Sequence, residues 1–105
     1  MLNIVNKSPL ERNALDSCLR LMTAESSGAA EDVLLLIEDA VYAVTRGNAA
    51  AARIAQAMAT CKVYALRPDL EARGVADRVL DGVQTVDYAG FVELVAAHPN
   101  NQSWL

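Results

Sequence analysis

Within the stretch Glu31-Asp32-Val33-Leu34-Leu35-Leu36-Ile37-Glu38-Asp39-Ala40-Val41-Tyr42, five aliphatic residues in succession stop abruptly at two carboxylates. A half-exposed strand alternates apolar and polar residues. An unbroken apolar run bounded by charge therefore predicts a strand covered on both faces. Covering both faces takes helices on both sides of the sheet, which means an α/β sandwich. Ligands of open α/β sheets sit just beyond the carboxyl ends of the strands, which here means near Glu38 and Asp39.

The flanking sequence supplies strands and helices in alternation. Leu2 to Val5 predicts a first strand. Ser8-Pro9-Leu10-Glu11 then reads as a helix start, with Ser8 as cap, Pro9 in the first turn and Glu11 closing a capping box. Leu15, Cys18, Leu19 and Met22 fall on one face of that helix, and Ser26-Ser27-Gly28 ends it. The aliphatic run gives a second strand from about Asp32 to Ile37. Asp39 is placed to cap a helix from Ala40 to Arg46, which Gly47 can end in a left-handed conformation. Asn48 restarts a helix through the alanine run to Met58, with Ile54 and Met58 as its larger apolar residues. Lys62 to Leu66 is a third strand, and Arg67 to Gly74 is a short helical turn with Pro68 near its start. Asp81-Gly82 marks a turn before a strand at Val83 to Val86. Asp87 caps a last helix from Tyr88 to about His98, which Pro99 ends. This alternation implies βαβ units, right-handed crossovers and a mostly parallel sheet. The polar tail closes on Trp104-Leu105. A frayed end has no use for such residues, so the tail is expected to dock, either on its own chain or on a partner.

A chain of 105 residues predicts one domain, spanning 1–105. Hydrophobic residues make up 53% and aromatic residues only 5%, so the core is expected to be aliphatic and alanine-rich. No run reaches the length of a membrane span, and the first residues lack the pattern of a signal peptide. A cytoplasmic protein is expected. The net charge is −4, and the nine basic residues are scattered. Without a basic patch, direct nucleic-acid binding is not expected. Two cysteines far apart in sequence and a single histidine do not compose a metal site, so neither a metal nor a cofactor is expected.

Few residues are left to carry chemistry. Glu38-Asp39 could form an acid/base pair, but a helix cap next to a solvated glutamate explains it more simply. Asn6-Lys7-Ser8-Pro9 lacks the glycines of a phosphate loop. His98, close to the end of a helix, suits the helix dipole. Cys18 is the candidate nucleophile. Its position on the apolar stripe suits a core cysteine, and a reactive thiol would instead need partial exposure in electropositive surroundings. Cys61, just before a strand, reads as structural.

Four segments together resemble the DsrH/TusB family of the DsrE/DsrF/DsrH-like superfamily. They are Val5-Asn6-Lys7-Ser8-Pro9, Leu35-Leu36-Ile37-Glu38-Asp39-Ala40-Val41-Tyr42-Ala43, Val63 through Gly74, and Val86-Asp87-Tyr88-Ala89-Gly90-Phe91-Val92, with the closing tryptophan after them. The resemblance implies a three-layer α/β/α fold around a mostly parallel sheet of four to five strands. It also implies a subunit of a cytoplasmic heterohexamer with DsrE/TusD-like and DsrF/TusC-like chains. Such a complex passes persulfide sulfur to a DsrC/TusE-type carrier. The principal sulfur-bearing cysteine of the family belongs to the DsrE/TusD chain. Ser17-Cys18-Leu19 resembles the first helix of DsrH proteins, which favours oxidation of stored sulfur and makes Cys18 a secondary catalytic candidate. The alternatives are a TusB-like subunit in 2-thiolation of the tRNA wobble uridine, and a purely structural subunit.

Overall fold

The computed structural model describes residues 1–8, 15, 17–19 and 32–104. Five strands form one sheet: β1 (Leu2–Val5), β2 (Asp32–Leu36), β3 (Cys61–Leu66), β4 (Gln84–Val86) and β5 (Asn101–Trp104). Their order is β4-β3-β2-β1-β5, and every pairing is parallel. The aliphatic run lies between β1 and β3. Leu34, Leu35 and Leu36 are fully buried, each worth about 1.5–3 kcal/mol of hydrophobic stabilisation.

The strand order explains where the helices lie. From β1 to β4 each strand is laid beside the one before it, in one direction across the sheet. Right-handed crossovers put all of those connections on one face. The chain then returns across the sheet to set β5 beside β1, and that connection must use the other face. The cores match this pattern. The larger one packs Leu15, Cys18, Val41, Val44, Ile54 and Leu70 against Val5, Leu34, Leu36, Val63 and Ala65. On the opposite face Leu2, Val33 and Leu35 meet Phe91, Leu94 and Val95 of the last helix. Strand alternation sorts neighbouring residues to opposite sides, and helices on both faces give the three-layer α/β/α fold.

Three α-helices have complete bounds: α1 (Ala51–Ala57), α2 (Arg67–Ala72) and α3 (Tyr88–Ala97). Leu15 and residues 17–19 are also helical, on the predicted stripe. The rest of that helix, including the capping box at Pro9 and Glu11, Met22 and the stop at Ser26-Ser27-Gly28, lies outside the described residues. Asp87 caps α3 as its sequence predicts, accepting a hydrogen bond from the Gly90 amide at 2.8 Å. At the other end of α3, His98 Nδ1 donates to the Leu94 carbonyl at 2.8 Å. Gly47 and Gly74 take the left-handed conformation, with φ of 88° and 67°, which a Cβ would oppose.

Three local expectations are corrected. The segment after β2 is a 3₁₀ helix, Glu38–Val44, rather than an α-helix over Ala40 to Arg46. Its N-cap is Ile37 and no side chain caps it, so Asp39 lies inside the first turn and is not the cap. Asn48 does not begin a helix either. Its Nδ2 donates to the Tyr42 carbonyl at 2.9 Å and its Oδ1 accepts from the Ala50 amide at 2.7 Å. It thus ties the end of the 3₁₀ helix to the entry of α1, which starts two residues later than the alanine run suggests. The polar tail forms β5 beside β1. Trp104 packs on the larger core, and its Nε1 donates to Asn3 Oδ1 at 3.2 Å. Of the two docking choices, the tail takes its own chain.

Candidate functional site

The carboxyl ends of β2 and β3 hold a cluster of charged groups. Glu38 follows the aliphatic run with φ of 51°, a left-handed conformation costing a non-glycine residue roughly 1–2 kcal/mol. Its amide donates to Asp69 Oδ2 at 2.6 Å. Arg73, one turn after Asp69 on α2, donates from Nε and Nη2 to Asp39 Oδ1 at 3.0 and 2.8 Å. Its Nη1 reaches the Asp69 carbonyl oxygen at 3.1 Å and lies 3.8 Å from the Asp69 carboxylate. The guanidinium therefore bridges Asp39 and Asp69, and Asp69 secures the strained turn at Glu38.

This arrangement replaces the acid/base pair that Glu38-Asp39 could suggest. Asp39 is engaged by a cation, and Glu38 contributes its amide while its side chain faces solvent. Among the described residues, no group of three or more His, Cys, Asp or Glu side chains is arranged to hold a metal ion. The sequence reading missed Arg73. The available signal was its spacing from Asp69, four residues on and on the same helix face.

The thiols lie at the opposite, amino-terminal edge of the sheet. Asp32 opens β2, Cys61 opens β3, and the parallel register pairs the two. Asp32 is on the same face of β2 as Leu34 and Leu36, and Cys61 is on the same face of β3 as Val63 and Ala65. That face is the one against which the helical residues Leu15 and Cys18 pack. Asp32, Cys61 and Cys18 thus converge on one corner of the larger core. Cys61 is half-buried, and its Sγ donates to the Ala57 carbonyl at 3.1 Å. Asp32 also holds the Met1 ammonium at 3.5 Å.

Cys18 is fully buried. Burial raises its pKa to about 12, with smaller contributions from the charges of Cys61 and Asp32. Burial raises Cys61 to about 11, with Asp32 adding to the effect. Near neutral pH both are thiols, and only about one Cys18 in 10⁵ is ionised. Thiolate attack from Cys18 is therefore suppressed in this conformation. The sequence did not place the two cysteines together, because the parallel register and the first crossover create their proximity.

A family model described as DsrH like protein matches residues 7–101. Protein TusB of Escherichia coli is 35% identical over 106 residues, covering 99% of this chain and 100% of that one. Protein TusB of Pectobacterium parmentieri is 34% identical over 104 residues, with the same two coverages of 99% and 100%.

The chain belongs to the DsrH/TusB family.

Among solved structures, the ychN protein of E. coli superposes with a TM-score of 0.78 at 21% identity, covering 97% of both chains. A protein of unknown function from Methanobacterium thermoautotrophicum superposes with a TM-score of 0.75 at 16% identity, covering 97% of this chain and 95% of that one. These likenesses concern the fold. The segments through which the sequence resembles the family straddle the carboxyl ends of β2, β3 and β4, where the Asp39–Arg73–Asp69 bridge lies. Cys18 and Cys61 lie at the other end of the sheet.

Proposed function

We propose that this chain is a TusB-like subunit of a cytoplasmic sulfur-relay complex serving 2-thiolation of the tRNA wobble uridine. One observation carries the reading: end-to-end similarity, at 34–35% identity, to TusB proteins whose whole length the chain covers. Because these relatives are TusB proteins, they favour tRNA thiolation over the sulfur-oxidation branch to which Ser17-Cys18-Leu19 pointed. Among the described residues no helix is long and apolar enough to cross a membrane, which agrees with a cytoplasmic role.

On this reading residues 1–105 are one DsrE/DsrF/DsrH-like domain, joined with TusD-like and TusC-like chains in a heterohexamer. The TusD-like chain carries the principal persulfide, and a TusE-like carrier receives the sulfur. The burial of Cys18 and its raised pKa support a mainly structural contribution from this subunit, with Cys18 as at most a secondary sulfur acceptor. Co-expression with TusC-like and TusD-like chains tests the assembly. Native mass spectrometry should find two copies of each of the three chains, and failure to join them would refute the partner assignment. Loading that complex with a persulfide donor tests the residue. In the Cys18→Ala variant, sulfur delivery to the carrier should persist, and its abolition would make Cys18 a required relay cysteine.

A further inference from the structure

Cys18 and Cys61 come from separate elements, yet both face the larger core where β2 and β3 begin. Their surroundings differ in one useful respect. Cys61 is half-buried and within reach of solvent, whereas Cys18 is enclosed. We propose that Cys18 and Cys61 form one dithiol site, with Cys61 as the point of entry for a disulfide-class oxidant and Cys18 as the resolving thiol that closes an intramolecular disulfide. The pair becomes a redox-sensitive tether between the first helix and β3.

The chemistry is two successive thiol–disulfide exchanges. The Cys61 thiolate attacks one sulfur of a small disulfide such as oxidised glutathione. The small-molecule S–S bond breaks, one glutathione thiolate leaves, and Cys61 holds a mixed disulfide. Cys18 then loses its proton to solvent buffer, and its thiolate attacks the Cys61 sulfur. The second glutathione thiolate leaves and the Cys18–Cys61 bond forms. Two electrons pass from the two cysteines to the oxidant, which becomes two thiols.

Asp32 bears on both steps. It is the register partner of Cys61, and its negative charge opposes ionisation of both thiols. The Met1 ammonium is the positive group recorded on Asp32, at 3.5 Å. Exchange should therefore be slow near pH 7 and accelerate as the pH rises toward that of the Cys61 thiol.

The inference goes beyond the sulfur-relay reading and needs neither the partner chains nor a carrier. Its test uses the purified chain with oxidised glutathione at pH 8.5, followed by denaturation, alkylation and intact-mass measurement. The expected product has lost both thiols, is lighter by two hydrogens and retains no glutathione. Peptide mapping of that product should join the segments containing Cys18 and Cys61. In Cys18→Ala, glutathione should remain on Cys61 as a stable mixed disulfide. In Cys61→Ser, Cys18 should stay unmodified. Wild-type chain that keeps glutathione on Cys61, that reacts at Cys18 in the absence of Cys61, or that leaves both thiols untouched would overturn the proposal. Mapping of the wild-type chain alone decides the matter if a variant does not fold. Because no relay partner is present, a negative result leaves the proposed function intact, and a failed assembly leaves the dithiol intact.

Discussion

For Cys18, packing and reactivity make opposite demands on one sulfur atom. Enclosure in the aliphatic core suits a thiol and opposes a thiolate, chiefly because the ion would lose its hydration. The sign of the pH dependence follows. A thiol whose pKa rises from 9.0 to about 12 on folding is neutral in both states below pH 9. Above that the unfolded chain ionises first, so the stabilisation is lost progressively between pH 9 and about 12. Denaturant titrations at pH 8 and pH 10 should show a smaller loss of stability for Cys18→Ala than for the wild type. An equal loss in both would mean that Cys18 is not desolvated. Asp32 allows a second check at this scale. Asp32→Asn removes a charge that raises both thiols, so alkylation of Cys61 at pH 8 should speed up roughly two- to tenfold. Glu38 concerns strain rather than charge. Its φ of 51° suits glycine, so Glu38→Gly should leave the melting temperature unchanged or raise it, whereas most substitutions to glycine lower it.

Between elements, one side chain joins two signature segments. Arg73→Ala would separate α2 from the 3₁₀ helix, leaving Asp39 without its cation and Asp69 less firmly held below the Glu38 amide. Solvent screens part of this interaction, so the expected loss in urea denaturation is about 1 kcal/mol, with Arg73→Lys recovering only a fraction. Asp87→Ala should cost about 1 kcal/mol through the cap of α3. Residues with strong local preferences announced these elements: the aliphatic run of β2, the Asp87 cap, and glycines at Gly47 and Gly74 where the chain turns left-handed. Asp39 misled because its residue type suits a cap, but tertiary pairing with Arg73 decides where its carboxylate goes. The tail misled for the opposite reason. Asn101, Gln102 and Ser103 have poor strand propensity, and only the open edge of β1 makes them a strand. The meeting of Cys18 with Cys61 was not legible at all, because it depends on register and crossover rather than on local sequence.

At the scale of the whole molecule, the return from β4 to β5 gives the sheet its second helical layer and closes the chain against β1. Removing residues 101–105 should therefore lower the stability of the chain itself, before any question of assembly. It would expose β1 and leave Asn3, which is almost fully buried, without its Trp104 partner. A truncated chain with an unchanged melting temperature would contradict the placement of β5. The fold class, the parallel sheet and the family were legible in the chain because several moderately specific segments recur in order along its length. The biological output was not, since the fold is shared by relatives as distant as 21% and 16% identity. The central claim is that this chain serves as the TusB-like subunit in tRNA thiolation. Expressing it in a bacterium lacking its own TusB, and quantifying 2-thiouridine in wobble-position nucleosides by mass spectrometry, tests that claim most directly. Restoration of the thiolated nucleoside is the predicted result. Its continued absence, with the chain folded and bound to the TusC and TusD subunits, would contradict the account.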